Sequence, residues 1–217
     1  MPIGSDSGFL DDVSAMTIWL GKYPLILASQ SRVRRMLLAN AGIPFETVPA
    51  DIDERAVQRS SGLSAPGEIA ALLAREKARF VASARPGRFV VGADQTLALG
   101  EQLFSKPTGR VQAAEQLSAL AGHSHKLHSA VVVALDGEIL FSDIAVATMA
   151  MRPLNDAQMR AYLDEAGEAV TSSVGAYQLE GVGVHLFERI EGDHFTILGL
   201  PLLPLLAFLR RERLLGV

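Results

Sequence analysis

The stretch Leu25-Ile-Leu-Ala-Ser29-Gln30-Ser31-Arg32-Val33-Arg34-Arg35-Met36-Leu37-Leu38 puts an apolar strand, a polar turn and a helix start in immediate succession, and loads the first helical turn with three arginines. A strand feeding directly into an amphipathic helix commits the chain to an α/β architecture. The charge pattern adds a second constraint. A helix N-terminus already carries about half a positive charge, so arginines there are unfavourable unless an anion, water or surface carboxylates answer them. Ser29 and Ser31 are good cap residues that leave backbone N–H groups pointing outward, and strand, turn and cationic helix start together describe a phosphate seat. Solvent-facing arginines on an ordinary helix are the bland alternative.

Any basic function must be local, because the net charge is −4 and the sequence pI is near 5.7. That balance argues against a nucleic-acid coat and against an anionic-membrane binder. The 217 residues, 49% of them hydrophobic, allow one large domain or two lobes sharing a core. The absence of cysteine excludes a disulfide framework and any thiolate metal site, leaving O and N ligands for chemistry. Residues 1–15 have no positive n-region and no long apolar h-region, so no secretory signal is expected and the cytoplasm is the default. We expect a flexible leader over residues 1–22, with Met16 as an alternative start, and a single domain over residues 23–217. The longest apolar run, Ile197 to Leu209, is broken by Gly199, Pro201 and Pro204 and reads as a buried C-terminal element, not a membrane span.

Alternating patterns follow along the chain. Strand 25–29, helix 32–42 ending at Gly42, a strand near 45–48 and a helix over 66–83 opening at Pro66 are predicted, then a buried strand Phe89-Val90-Val91 before Gly92-Ala93-Asp94 and a helix over 110–121. Asp136-Gly137 between two long apolar-alternating runs is a hairpin signal, so the sheet is mixed. A helix over 155–166 capped by Asn155, a glycine-rich stretch over 172–183, a strand over 184–190 and a final helix after Gly199 complete the pattern.

Several residues have the chemistry of a site. Asp94 ends an apolar strand, where open α/β sheets place ligand-handling groups, although a turn-capping Asp also fits. Asp51-Ile52-Asp53-Glu54 offers oxygen ligands for Mg²⁺ or Mn²⁺, or simply an acidic helix start. Lys77 lies on the border of a helix stripe, where its ammonium can reach a cleft or solvent, and Lys106-Pro107 fixes a single positive charge in a loop. His123, His125 and His128 read as polar edge residues more readily than as a metal site. The chain has no P-loop pattern, no dinucleotide fingerprint and no Gly-x-Ser-x-Gly elbow, which removes three common enzyme classes.

Taken in order, Leu-Ala-Ser29-Gln-Ser31 with Arg34-Arg35, Asp51-Ile-Asp-Glu54, Arg75-Glu-Lys77-Ala, Gly92-Ala-Asp94, Lys106-Pro107, Gly175-Ala-Tyr177, Phe187-Glu-Arg-Ile-Glu-Gly192 and Gly199-Leu-Pro201 resemble the Maf nucleotide pyrophosphatases over about residues 24–212. The resemblance implies a long, strongly curved mixed β-sheet flanked by helices, two lobes with a nucleotide cleft between them, and a homodimer. It implies cleavage of a nucleoside triphosphate at the α–β anhydride, with Asp94 as the catalytic carboxylate. Glu54 and Asp94 would hold a divalent metal cation, Mg²⁺ or Mn²⁺, and Ser29, Ser31, Arg34, Arg35, Lys77 and Lys106 would bind the polyphosphate.

Three positions depart from the common family pattern and bear on the base: Val33, Gln95 and Glu180. Gln95 with Glu180 resembles the branch that acts on 7-methyl-GTP. A guanine edge offers two adjacent donors that one carboxylate accepts together, whereas uracil and thymine offer one donor between two acceptors. Val33 breaks that analogy, because the branch tends to carry a large ring there. A preference for dTTP or UTP is the alternative, and a non-catalytic nucleotide-binding regulator of cell division is another, opposed by retention of Asp94, Glu54, Lys77 and Lys106.

Overall fold

The three residues Leu25–Leu27 (β1) are fully buried because they run through the middle of a sheet, parallel to a neighbour on each side. The computed structural model describes residues 18–217, so residues 1–17 of the leader expected over residues 1–22, Met16 included, lie outside the described residues. Ile18–Leu20, also placed in the leader by the sequence, are tied to the C-terminal tail: Trp19 bridges Leu215 antiparallel, and Leu20 N–H donates to the Leu214 carbonyl at 2.9 Å.

From β1 the chain enters α1 (Arg32–Asn40), whose cap Ser31 accepts the Arg34 N–H at 3.3 Å, and leaves it through Gly42 at φ +68°. It continues through β2 (Phe45–Thr47), α2 (Glu54–Ser61), α3 (Pro66–Ser83), β3 (Val90–Leu99), β4 (Gln102–Phe104), α4 (Arg110–Leu120), β5 (Ser124–Leu135) and β6 (Glu138–Met151). Next come α5 (Asp156–Ala166), three single 3₁₀ turns within residues 167–186, β7 (Phe187–Glu191), α6 (His194–Ile197) and α7 (Leu202–Arg211). The seven strands form one mixed sheet in the order β2-β1-β3-β5-β6-β7, with β4 paired to the far end of β3. Only the β1 pairings are parallel. Asp136 and Gly137 both have positive φ, 54° and 85°, which is the turn whose twist matches a hairpin, and it joins β5 to β6 as expected.

Helices cover the sheet. Leu37, Leu38, Leu205 and Phe208 of α1 and α7 pack with Val91 and Val133 on one side, while α3 lays Ala70, Ala74 and Ala78 against Val90, Ala130 and Val132 on the other. A further core, built from α4, α5, the last halves of β3 and β6 and the first half of β5, centres on Leu97, Leu117, Leu127 and Met149. β3 runs from the first cores into this third one, and Asp94 sits at the crossing.

Several elements differ from expectation, the short α6 among them. β3 continues to Leu99 because its polar residues Asp94, Gln95 and Thr96 stay in register with β5, hiding the strand from an apolar pattern. α2 carries no buried residue and therefore no stripe; Asp53 caps it by accepting the Ala56 N–H at 2.9 Å, and Gly62 at φ +67° ends it. The three-residue β4 is too short to leave a periodic signal. The strand expected over 184–190 starts at Phe187, because residues 182–186 wind into a 3₁₀ turn in which Gly183 lies against the Gln178 backbone with no room for a Cβ. Among the described residues no helix is long and apolar enough to cross a membrane.

Candidate active site

The turn between β1 and α1 is locked from within. Ser29 Oγ accepts the Ser31 N–H at 3.2 Å and the Arg34 Nη1 donor at 3.1 Å. Arg34 also donates from Nη1 to the Ala93 carbonyl at 2.8 Å and from Nε to the Gly199 carbonyl at 2.7 Å. One guanidinium thus ties the helix start to β3, one residue before Asp94, and to the loop leading into α7. Burial lowers its pKa from the usual arginine value, opposed by Asp94 and then Glu54, whose negative charges favour the cation.

Opposite this turn lies a charged cluster. Lys77 is buried on α3, and its Nζ stands 2.5 Å from Asp94 Oδ1 and 2.8 Å from Glu54 Oε1. The approach depends on Gly92. A Cβ there would lie 2.8 Å from the Ala78 N and 2.9 Å from the Ala78 Cβ, and would also meet the Ala74 carbonyl, so only glycine lets α3 settle this closely on β3. Asp94, two residues on, projects from the same face of the strand, which brings it to Lys77. Asp94 is itself only 9% exposed, whereas Glu54, at the first turn of α2, is half in solvent.

These groups line one cleft of about 1210 Å³ together with Ser29, Ser31, Arg32, Val33, Gln95, Lys106 and Glu180. Arg35, expected beside Arg34, is exposed and does not line the cleft; Arg32 does. The reason is helical spacing: Arg35 stands about 100° around the helix from Arg34. Lys106 and Glu180 are exposed on the rim. Gln95 is held by its amide nitrogen, which donates to Ser129 Oγ at 2.8 Å, the Ile197 carbonyl at 3.0 Å and the Thr196 carbonyl at 3.1 Å. Its carbonyl oxygen is left as an acceptor.

The sequence reading missed the supports of the rim loop. Gly175 and Ala176 both have positive φ, 78° and 61°. The Gly175 N–H donates to Gln116 Oε1 at 3.1 Å, Tyr162 OH donates to the Ala176 carbonyl at 2.9 Å, and Tyr177 OH pairs with His125 Nε2 at 2.7 Å. His125 is therefore not a polar edge residue but a buried one, and burial holds it neutral by lowering its pKa to about 4. Burial also raises Tyr177, with Tyr162 adding to the effect. His123 stays exposed and His128 half-buried, and no group of three or more His, Asp or Glu converges on a metal position among the described residues.

Fold and cleft together define an α/β protein whose large cleft is lined by paired carboxylates and a buried cation. Comparison with known proteins is specific about which one. The chain belongs to the Maf-like protein family, whose model matches residues 24–212. It is 64% identical over 201 residues, 93% of this chain and 100% of the relative, to a nucleoside triphosphate pyrophosphatase of Rhodopseudomonas palustris (strain HaA2). It is 66% identical over 202 residues, again 93% and 100%, to a nucleoside triphosphate pyrophosphatase of Bradyrhizobium diazoefficiens. A 7-methyl-GTP pyrophosphatase of Brucella abortus is 50% identical over 192 residues, covering 87% of this chain and 96% of its own.

Proposed function

We propose that this chain is a nucleoside triphosphate pyrophosphatase that cleaves the α–β anhydride and prefers 7-methyl-GTP. The observation that carries the reading is the Asp94–Lys77–Glu54 cluster facing the β1–α1 turn across one cleft. A triphosphate brings about four negative charges, and the reaction moves more charge onto the departing pyrophosphate, so fixed cations favour the transition state. Arg34 and Lys77 are held in place by the fold; Lys106 and Arg32 line the same cleft as exposed side chains. A water oxygen attacks the α-phosphorus, its proton passes to Asp94, and the bridging oxygen leaves with pyrophosphate. Lys77, bonded to Asp94, orients that carboxylate towards the cleft.

The donor set fits a hard divalent cation. Glu54 and Asp94 are brought to the same part of the cleft by their shared contact with the Lys77 ammonium, and two carboxylates completed by substrate phosphates and water are what Mg²⁺ takes in nucleotide enzymes. When bound there, Mg²⁺ or Mn²⁺ supplies Lewis-acid polarisation of the phosphoryl oxygens.

The base preference is supported by the fixed Gln95 carbonyl oxygen and the Glu180 carboxylate, two acceptors lining the same cleft and suited to a guanine edge with adjacent donors. The 7-methyl-GTP pyrophosphatase among the relatives fits this reading. Val33 supplies no ring for stacking, which is the specific observation favouring a pyrimidine substrate such as UTP or dTTP. Pyrophosphate release from 7-methyl-GTP, GTP, UTP and dTTP, with Mg²⁺, Mn²⁺ or chelator, tests both levels. Metal-dependent release led by 7-methyl-GTP is the expected result; release led by UTP or dTTP overturns the preference, and none from any nucleotide overturns the activity.

A further inference from the structure

Lys106 and Glu180 approach the cleft from loops that are far apart in sequence, and one buried side chain touches both loops. Gln116 projects from α4 into the third core with only 6% of its surface exposed, among Ala113, Leu117 and Leu120. Its Nε2 donates to the carbonyl of Ser105, the residue before Lys106, at 2.8 Å, and its Oε1 accepts the N–H of Gly175 at 3.1 Å. The amide cannot be turned over without placing a donor against the Gly175 N–H and an acceptor against the Ser105 carbonyl, so each end has one fixed partner. Both partners are backbone groups, which means that moving either loop moves the chain and not merely a side chain.

Gly175 cannot adjust freely. It sits at φ +78°, and a Cβ would lie 2.6 Å from Leu97 Cδ1. Ala176 follows in the left-handed region, and Tyr162 and His125 hold the next two residues. The loop is thus over-determined at its start, and Gln116 is the only one of its three side-chain supports that also bonds the Lys106 loop.

We propose that Gln116 is a positioning residue that couples the grip on the polyphosphate, through Ser105 and Lys106, to the placement of the base-reading loop that carries Glu180. The inference rests on the pyrophosphatase reading above. When Lys106 closes on a terminal phosphate, the Ser105 carbonyl is drawn with it; the Gln116 amide carries the displacement to Gly175, and residues 174–180 settle against the base. Substrate discrimination then requires an intact triphosphate, because the base is read fully only once the phosphates are held.

Inorganic triphosphate, which has no base, is the direct probe. In the wild-type protein with Mg²⁺, its binding slows hydrogen exchange around Lys77 and Asp94 and also over residues 174–180. In Gln116→Met, of nearly the same volume, the first protection persists and the second disappears. Lys106→Ala, an exposed position whose loss leaves the core intact, removes the second protection as well, at triphosphate concentrations that still protect Asp94. A kinetic cycle gives an independent readout. Lys106→Ala and Glu180→Gln combine with a loss in kcat/KM that departs about fivefold or more from the product of the single losses, and in the Gln116→Met background they multiply to within about twofold. Protection of residues 174–180 that survives Gln116→Met, or that never forms in the wild type while Asp94 is protected, overturns the proposal. Absence of any protection by triphosphate removes the phosphate grip that drives the coupling and overturns the proposal, whereas pyrophosphate release from the nucleotides decides the pyrophosphatase reading separately.

Discussion

A single methyl group at Gly92, which touches no substrate, should disable the site. In Gly92→Ala the new Cβ stands 2.8 Å from the Ala78 N and 2.9 Å from its Cβ, and nearer still to the Ala74 carbonyl, so it meets helix backbone and not the end of a flexible side chain. Restoring an ordinary separation of about 3.5 Å requires α3 to retreat from β3 by about 0.7 Å at Ala78 alone. Overpacking of a filled core costs about 1–3 kcal/mol, and backbone on the receiving side puts this case near the upper end. For a chain of this size that is a fall in Tm of roughly 6–12 °C. Lys77 precedes Ala78 and moves with it, so its 2.5 Å contact with Asp94 opens. A displacement near 1 Å at a catalytic group costs about a hundredfold in rate. The assay is pyrophosphate release beside thermal unfolding, with Gly109→Ala as the control, because Gly109 has nothing within 4 Å of its Cβ position and an extended φ of 179°. Wild-type kcat/KM and Tm in Gly92→Ala would refute the claim that the closeness of α3 to β3 builds the site.

Asp94→Asn should lower kcat by about a thousandfold while Tm stays within a few degrees, and a variant that turns over normally removes Asp94 from the proton transfer. Glu180→Gln should bring kcat/KM for 7-methyl-GTP towards that for UTP, since an amide accepts only one of two adjacent base donors; unchanged ratios across nucleotides exclude base reading by Glu180. His125 should make the protein acid-sensitive. Its pKa is held at about 4 in the folded chain against 6.5 unfolded, so the unfolded state takes up the proton first, and the stability present above pH 6.5 is lost as the pH falls towards 4. At pH 5 the loss is about 2 kcal/mol. Thermal unfolding of His125→Asn at pH 7.5 and 5.0 should show a smaller acid drop than the wild type, and an equal drop assigns the acid sensitivity elsewhere.

How much was legible follows from how local each signal is. α3 was read to the residue because Pro66 starts it and an apolar stripe runs its length, and the β5–β6 hairpin was read because Asp136-Gly137 is itself the turn. Family resemblance supplied the order of the charged residues, yet it did not say that Lys77 bridges Glu54 and Asp94; that required the α3–β3 approach at Gly92. The second half of β3 was invisible because polar residues occupy it, as they must where a strand carries a site. His125 looked like an edge residue because its partner, Tyr177, is 52 positions away, and Gln116 gave no signal because both its bonds go to backbone in other segments.

The three arginines at the start of α1 are the sharpest case. The sequence poses one question, what balances their charge, and the fold answers it differently for each. Arg34 is anchored from inside through Nε and Nη1, by Ser29 and two backbone carbonyls, which converts a cation at a helix N-terminus into a clamp between three segments. Arg32 lines the cleft, and Arg35 turns to solvent, where water screens it. The positive potential at this helix end is therefore partly structural: on the proposed function, a phosphate bound there would meet the helix dipole and a guanidinium already fixed through Nε and Nη1. Such a group attracts an anion without having to move towards it, which is the arrangement that loses least reorganisation energy as charge shifts during phosphoanhydride cleavage. Arg34→Lys would keep the charge but not the fork that reaches the Ala93 and Gly199 carbonyls together, so the clamp and the preorganisation would be lost by the same change.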